Sequence, residues 1–210
     1  MKTTTKNTKL QENTKLQDYI LIIESLIPAD FCDSYINEYE NSDEWQQSMI
    51  NDGKGGAILD DYRNCCTITT SDPIIIRQNK DVRQPLDDKM FSYVSLALDK
   101  YKQKLNFTTF GRSSTYFGTS SDTGYDLLRY KKSCRYGEHI DHFEQDPKAL
   151  TCSFTLSDDY EGGAFSFFNQ EKIINPLKGS AVMFPSNFMF PHEVLPVTKG
   201  IRYSMVTWFK

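Results

Sequence analysis

His139 and Asp141, one residue apart, are the two side chains in this sequence that are best spaced to share a metal ion. On an extended strand, residues i and i+2 point to the same face, so the imidazole and the carboxylate would converge on one point. The sequence contains three histidines, at positions 139, 142 and 192. His142 would face the other way on a continuing strand, which leaves His192 as the third candidate ligand.

Two histidines and one carboxylate on one face of an octahedron are the ligand set of non-haem Fe(II) oxygenases, in which the remaining positions stay open. A His-x-Asp pair alone is weak evidence, because such pairs occur by chance in many proteins and an exposed turn would explain this one equally well. The residues that follow His192 add a second signal.

Arg202 lies ten residues after His192, in a run from 200 to 209 that alternates and is rich in β-branched and aromatic residues. Such a run predicts a strand. A buried strand rarely carries an arginine unless an anion meets it, and a guanidinium binds a carboxylate through two parallel hydrogen bonds. Ser204 is on the same face of the strand and can add a hydroxyl donor. The alternative for Arg202 is a surface salt bridge.

In this order, the motifs resemble those of the Fe(II)/2-oxoglutarate-dependent dioxygenases, and in finer detail those of the prolyl 4-hydroxylase-like branch. That branch carries Tyr-x2-Gly-x2-Tyr/Phe-x2-His-x-Asp. The segment from Tyr130 to Asp141 has the same spacing, with Ser133 in place of the glycine.

Two further motifs are similar to this branch. One is a Gly-Gly turn between two predicted strands, here at Gly162 and Gly163. The other is the family's ending Gly-x-Arg/Lys-x-Ser-x5-Trp, which is close to Gly200-x-Arg202-x-Ser204-x3-Trp208. The resemblance covers residues 127–210 well and the first 120 residues only loosely.

The resemblance implies that Fe(II) is bound by His139, Asp141 and His192, with 2-oxoglutarate and O2 as cosubstrates and ascorbate as the reductant. Arg202 is implied to pair with the far carboxylate of 2-oxoglutarate. The other candidate hydrogen-bond donors to this ligand are Tyr130, Ser204 and Thr155. Tyr130 could instead be a core tyrosine. The expected products are succinate, CO2 and a hydroxylated substrate.

The predicted substrate is a prolyl residue in a protein or peptide. Tyr136 and Trp208 match positions that shape the peptide site in prolyl hydroxylases, and Arg63 could hold the peptide backbone or acidic substrate groups. Both aromatic residues could equally be core packing. Because fold analogy does not decide function, two alternatives stay open: the same chemistry on another side chain, free amino acid or small molecule, and a non-enzymatic jelly-roll binding module.

The elements that must position these residues are mostly short strands. From residue 125 the sequence predicts strands over 126–131, 136–139, 150–156, 164–168, 172–174, 180–184, 193–197 and 201–209. Their spacing of about ten residues is typical of a jelly roll or sandwich. The predicted fold class is therefore mainly β with supporting helices (α+β), around a double-stranded β-helix (jelly roll) core over about 125–210. The metal is expected at the open end of that core.

The first half of the chain is predicted to support this core. A flexible polar tail over 1–16 precedes a single domain over 17–210. A strand over 19–26 leads into a helix after Pro28, a further strand is predicted within 61–70, and an amphipathic helix over 85–105 buttresses the sheet. The glycine-rich segment 53–63 lacks the spacing of a phosphate-binding loop, so it is interpreted as a mobile substrate lid or an ordinary loop.

Composition excludes several other classes. The net charge of −4 provides no overall basic field to attract nucleic acid. No apolar run approaches the roughly 18 residues of a membrane span, and the N-terminus lacks the pattern of a secretory signal. Five cysteines without Cys-x2-Cys spacing are typical of reduced thiols, so a cytoplasmic location is expected.

Overall fold

The computed structural model describes residues 15–50, 61–105 and 121–210. The helices are α1 (Ala29–Tyr39), α2 (Pro73–Gln78) and α3 (Lys80–Leu105), and a 3-10 turn spans Leu16–Tyr19. The strands are β1 (Leu21–Ile23), β2 (Gln46–Gln47), β3 (Cys66–Thr69), β4 (Asp126–Tyr130), β5 (Tyr136–His139), β6 (Leu150–Thr155), β7 (Tyr160–Gly162), β8 (Phe165–Phe167), β9 (Lys172–Ile174), β10 (Ala181–Pro185), β11 (His192–Val194), β12 (Val197–Gly200) and β13 (Arg202–Phe209).

These strands form two facing sheets and a small ribbon. The major sheet has seven strands in the order β1-β10-β6-β13-β4-β3-β2, the minor sheet has four in the order β5-β11-β8-β9, and β12 pairs with β7. One face of the major sheet packs against α1 and α3 in one apolar cluster. Its other face packs against the minor sheet in a second cluster. The predicted fold class, mainly β with supporting helices around a jelly-roll core, is confirmed.

Strand β6 lies inside the major sheet, between β10 and β13, and all six of its residues are buried. Cys152 and Phe154 belong to the cluster on the helix side. Thr151 and Ser153 point to the opposite face, where they line a pocket between the sheets. The strand therefore separates an apolar face from a polar one.

Several predicted boundaries are wrong, and proline explains two of them. The strand predicted over 193–197 is divided into β11 and β12, since Pro196 has no N–H to continue a ladder. The helix predicted to begin at Pro85 begins at Lys80 and contains that proline. Pro85 is the sixth residue of α3, beyond the first turn in which proline costs no hydrogen bond, so its presence does not mark the first residue.

Other differences concern the edges of elements. The strand predicted over 19–26 is limited to β1, after the 3-10 turn, and the strand within 61–70 is limited to β3. Residues 1–14 and 51–60 lie outside the described residues, so the tail, the domain limits 17–210 and the lid over 53–63 stay predictions. Within the described ranges, no helix combines the length and apolarity that crossing a membrane requires.

The turn between β7 and β8 requires glycine at two successive positions. Gly162 and Gly163 have φ values of 78° and 65°, in the left-handed region that side chains disfavour. A Cβ on Gly163 would lie 2.8 Å from Cδ of Arg202. The turn thus brings its backbone against the arginine of β13.

We expect Gly163→Ala to lower the free energy of unfolding by about 1–3 kcal/mol, because the left-handed backbone alone costs about 1–2 kcal/mol and the arginine must also move. Urea denaturation measures this loss. Glu161→Ala is the matched control in the same turn, since its exposed ion pair with Lys199 contributes little. Equal stability of the two variants would contradict the prediction.

Candidate active site

His139, Asp141 and His192 form one compact group of potential metal ligands. Their ligand atoms all lie within 4.8 Å of one another. Nε2 of His139 is 3.6 Å from Oδ1 of Asp141, and Nε2 of His192 is 3.6 Å from Oδ2 of the same carboxylate. The three side chains predicted as a metal site therefore converge, and we call them the triad.

The two histidines are placed by strand pairing, whereas Asp141 is not. His139 ends β5 and pairs directly with His192, the first residue of β11. Asp141 lies beyond the end of β5, where its amide and that of His142 donate to the Ser186 carbonyl at 3.2 and 3.0 Å. The convergence was predicted from strand alternation, and that reason is wrong: a bend held by Ser186 directs the carboxylate.

His142 is directed away from the triad, as predicted, although not by strand alternation. Its Nδ1 lies 2.8 Å from the Lys148 carbonyl and 3.2 Å from the Lys148 amide. These contacts hold the imidazole against the following loop. His142 is therefore outside the ligand group.

Both triad imidazoles are oriented through their second nitrogen. Nδ1 of His139 is 2.8 Å from the Gly137 carbonyl, and Nδ1 of His192 is 3.0 Å from the Phe190 carbonyl. Since a carbonyl only accepts, each Nδ1 carries the proton and each Nε2 keeps its lone pair for a metal. Burial, followed by the neighbouring His192, lowers the pKa of His139 to about 3, so its ring is neutral.

Asp141 is held as an anion in this buried place. Burial raises the pKa of its carboxyl group, but His192, His139 and a hydrogen bond from Thr151 outweigh that effect and hold the pKa below its usual value. The Thr151 hydroxyl donates to Oδ2 at 2.6 Å. Two imidazoles and one carboxylate are a donor set that suits Fe(II), so the residues fit this metal.

Arg202 is the second unusual group of the site, because its side chain is fully buried. Nη1 donates to Oγ of Ser204 at 2.9 Å. Nε and Nη2 are buried and have no hydrogen-bond partner in the part of the chain that the structure describes. The guanidinium carbon lies 5.2 Å from the rings of both Tyr130 and Phe165. These rings offer the guanidinium no full counter-charge.

One pocket between the two sheets joins the triad to Arg202. Alternate residues of β13 form its floor, beside alternate residues of β4 and β6. It is lined by Arg63, Leu128, Tyr130, Tyr136, His139, Asp141, Thr151, Ser153, Phe165, Phe184, His192, Val194, Arg202, Ser204, Val206 and Trp208.

Nine of the ten site residues predicted from the sequence line this pocket; Thr155 does not. Thr155 pairs with Ser204 across β6 and β13, and its buried hydroxyl has no partner among the described residues. Its contact with a cosubstrate stays a prediction. Thr151 and Ser153 were missed, although polar residues at alternate positions of a buried strand are a signal that could have found them.

Tyr136 contacts the triad as well as the pocket. Its ring stacks on His139, with centroids 3.5 Å apart and planes inclined by 15°. The Arg63 guanidinium carbon lies 4.4 Å from the centroid of the Tyr136 ring. The side chains of Arg63, Tyr136 and His139 thus form one continuous stack. Tyr136 therefore helps to orient His139, a candidate metal ligand, independently of any contact with a substrate.

A second cavity, of about 440 Å³, adjoins the pocket at Arg63. It lies beside β2 and β3 and is lined by polar side chains that include Glu44, Asp72 and Asp126. Arg63 lines both spaces and donates through Nη1 to the Met49 carbonyl at 2.6 Å. The pocket that contains the triad therefore adjoins a polar cavity at Arg63.

Comparison with known proteins agrees with this site. The model of the 2OG-Fe(II) oxygenase superfamily matches residues 125–210, which contain the whole triad and Arg202. A PKHD-type hydroxylase of Alteromonas mediterranea is 35% identical over 95 residues, 39% of this chain and 41% of that protein.

Two further likenesses extend over most of the chain. Procollagen-lysine,2-oxoglutarate 5-dioxygenase 1 of Rattus norvegicus is 26% identical over 184 residues, 84% of this chain and 22% of that protein. The chain thus spans less than half the length of either relative. A prolyl hydroxylase in complex with a hypoxia inducible factor peptide, from Trichoplax adhaerens, has a TM-score of 0.66 at 18% identity, covering 91% of this chain and 83% of that one. This structure shows a shared fold.

We expect acid to destabilise the metal-free protein through His139. Its pKa is about 3 in the folded state and about 6.5 when unfolded, so between these values the unfolded chain binds the extra proton. Stability is therefore present above the unfolded pKa and is lost as the pH falls, by on the order of 2 kcal/mol between pH 7 and 5.

Urea denaturation in a chelator, at several pH values, measures this effect. His139→Gln should show a shallower loss of stability between pH 7 and 5 than the wild type. Between pH 7 and 8 the two slopes should match, because His139 is neutral in both states. Parallel curves over the whole range would contradict the assignment.

Proposed function

Because residues 125–210 match the model of the 2OG-Fe(II) oxygenase superfamily, we propose that the protein is an Fe(II)- and 2-oxoglutarate-dependent dioxygenase. The observation that carries the proposal is the buried guanidinium of Arg202, whose Nε and Nη2 have no partner among the described residues, in the same pocket as the triad. A ligand that joins the two must chelate a metal at one end and carry a carboxylate at the other. 2-Oxoglutarate has both ends.

The chain's own residues divide into two groups. His139, Asp141 and His192 would hold the metal, which together with bound 2-oxoglutarate would supply O2 activation, giving succinate, CO2 and a hydroxylated substrate. Arg202 would bind the far carboxylate through Nε and Nη2, the two atoms without a partner among the described residues. Ser204 holds the guanidinium in place through Nη1.

Tyr130 contributes a wall and a donor. Its ring faces Arg202, and burial raises the pKa of its hydroxyl group well above the usual value, so the hydroxyl stays protonated. Phe165, Phe184 and Val206 line the rest of the pocket and exclude water from it. A dry pocket strengthens the pairing of Arg202 with a carboxylate.

For the substrate, we propose a prolyl residue in a protein or peptide. Tyr136 and Trp208 form an aromatic wall beside the triad, which suits a rigid apolar ring. The cavity that adjoins the pocket at Arg63 offers room for flanking peptide. A structural neighbour is a prolyl hydroxylase with a bound peptide. We further propose ascorbate as the reductant. We also propose a cytoplasmic location, which the five free cysteines support.

A lysyl residue is the second candidate substrate. One relative that matches 84% of this chain is procollagen-lysine,2-oxoglutarate 5-dioxygenase 1 of Rattus norvegicus. Three carboxylates, those of Glu44, Asp72 and Asp126, line the cavity next to the pocket, and these would suit a cationic side chain.

Arg202→Leu should raise the Kd for 2-oxoglutarate by about 100-fold or more, because a buried charge pair is worth about 3–5 kcal/mol when one partner is removed. Calorimetry on the Mn(II)-loaded protein measures this. 2-Oxovalerate, which lacks the far carboxylate, is the matched control ligand and should bind wild type and variant alike. An unchanged Kd of Arg202→Leu for 2-oxoglutarate would show that Arg202 does not bind the far carboxylate.

Matched peptides that differ only in a central Pro, Lys or Leu distinguish the substrates. We expect the Pro peptide to raise succinate formation above the peptide-free rate and to gain one oxygen atom in its mass spectrum. Oxygen on the Lys peptide alone would favour the second candidate. Succinate formation that no peptide stimulates would contradict a peptide substrate. The absence of any succinate formation would favour a binding module.

A further inference from the structure

The Asp141 carboxylate depends on contacts that the two histidines do not need. His139 and His192 lie on paired strands, and each has its Nδ1 directed to a carbonyl. Asp141 lies past the end of β5, and only its backbone is held by the Ser186 carbonyl. Something else must fix the rotation of its side chain.

Two hydroxyl groups provide that contact. Oγ1 of Thr151 lies 2.6 Å from Oδ2 of Asp141 and 2.8 Å from Oγ of Ser186. An ionised carboxylate only accepts, so the Thr151 hydrogen is donated to Asp141. Oγ1 of Thr151 is then the acceptor for the Ser186 hydroxyl. The hydrogen bonds run in one direction, from Ser186 through Thr151 to Asp141.

This chain of hydrogen bonds is closed to solvent. Ser186 is 1%, Thr151 2% and Asp141 7% exposed. Water therefore has little access to replace a lost donor, so without the Thr151 hydroxyl the carboxylate would be less tightly oriented. Ser186 also begins the segment that leads from β10 to His192.

We propose that Thr151 and Ser186 are positioning residues, which hold the Asp141 carboxylate toward the imidazoles before a metal binds. The inference rests on the proposed function only insofar as the triad binds a divalent metal. Partners of this kind that orient a metal ligand change metal affinity by about 10–100-fold when they are removed. The structure assigns this role to the hydroxyl of Thr151, with Ser186 acting through it.

Thr151→Val separates the hydroxyl from the shape of the side chain. Valine keeps the β-branch and the strand preference, so the pairing of β6 with β10 and β13 is retained. Thr151→Ser keeps the hydroxyl and removes the methyl group. Comparing the two variants with the wild type therefore separates the effect of the hydroxyl group from that of the methyl group.

The experiment is a titration with Mn(II), in which free Mn(II) is measured by electron paramagnetic resonance. We expect the Kd for Mn(II) to rise about 10–100-fold in Thr151→Val and to stay near the wild-type value in Thr151→Ser. Ser186→Ala should raise it less. Thr151→Val combined with Ser186→Ala should match Thr151→Val alone, because Ser186 acts through Thr151.

An unchanged Kd in a folded Thr151→Val protein would overturn the proposal, and so would equal weakening in Thr151→Val and Thr151→Ser. If Thr151→Val does not fold, Ser186→Ala decides: an unchanged Kd for Mn(II) would overturn the pair. Weaker Mn(II) binding by Thr151→Val, together with no succinate formation by the wild type, would support this proposal and contradict the proposed oxygenase activity. A wild type that binds no Mn(II) would remove both.

Discussion

A buried cation with no counter-charge among the described residues is the constraint on which the rest of this site depends. Removing a guanidinium from water costs several kcal/mol, and the contacts of Arg202 with Ser204 and two aromatic rings return only part of that cost. Such a buried guanidinium is explained when a bound anionic ligand supplies its missing counter-charge. Arg202 thus defines one end of the pocket, and the triad defines the other.

The fold satisfies this constraint by giving the major sheet two unlike faces. Along β6 and β13, alternate residues enter either the apolar cluster beneath the helices or the pocket between the sheets. Because side chains alternate strictly along a strand, a single register places Thr151 beside Trp208 and Ser204 beside Thr155. The minor sheet then closes the pocket with the paired residues His139 and His192.

Much of this site could be predicted from the sequence, because its motifs are local. His139, Asp141, His192 and Arg202 were found from spacing and from a resemblance, and all four line one pocket. What could not be predicted depends on distant contacts. The bend at Asp141 is set by a carbonyl 45 residues away. The contact of Arg63 with Tyr136, 73 residues further along the chain, is of the same kind.

The most direct test of this account is a crystal structure of the protein with Mn(II) and 2-oxoglutarate. The account predicts that the metal contacts His139, Asp141 and His192 and that the far carboxylate accepts hydrogen bonds from Nε and Nη2 of Arg202. A diacid bound elsewhere, or a guanidinium that still has no anion beside a filled metal site, would contradict it.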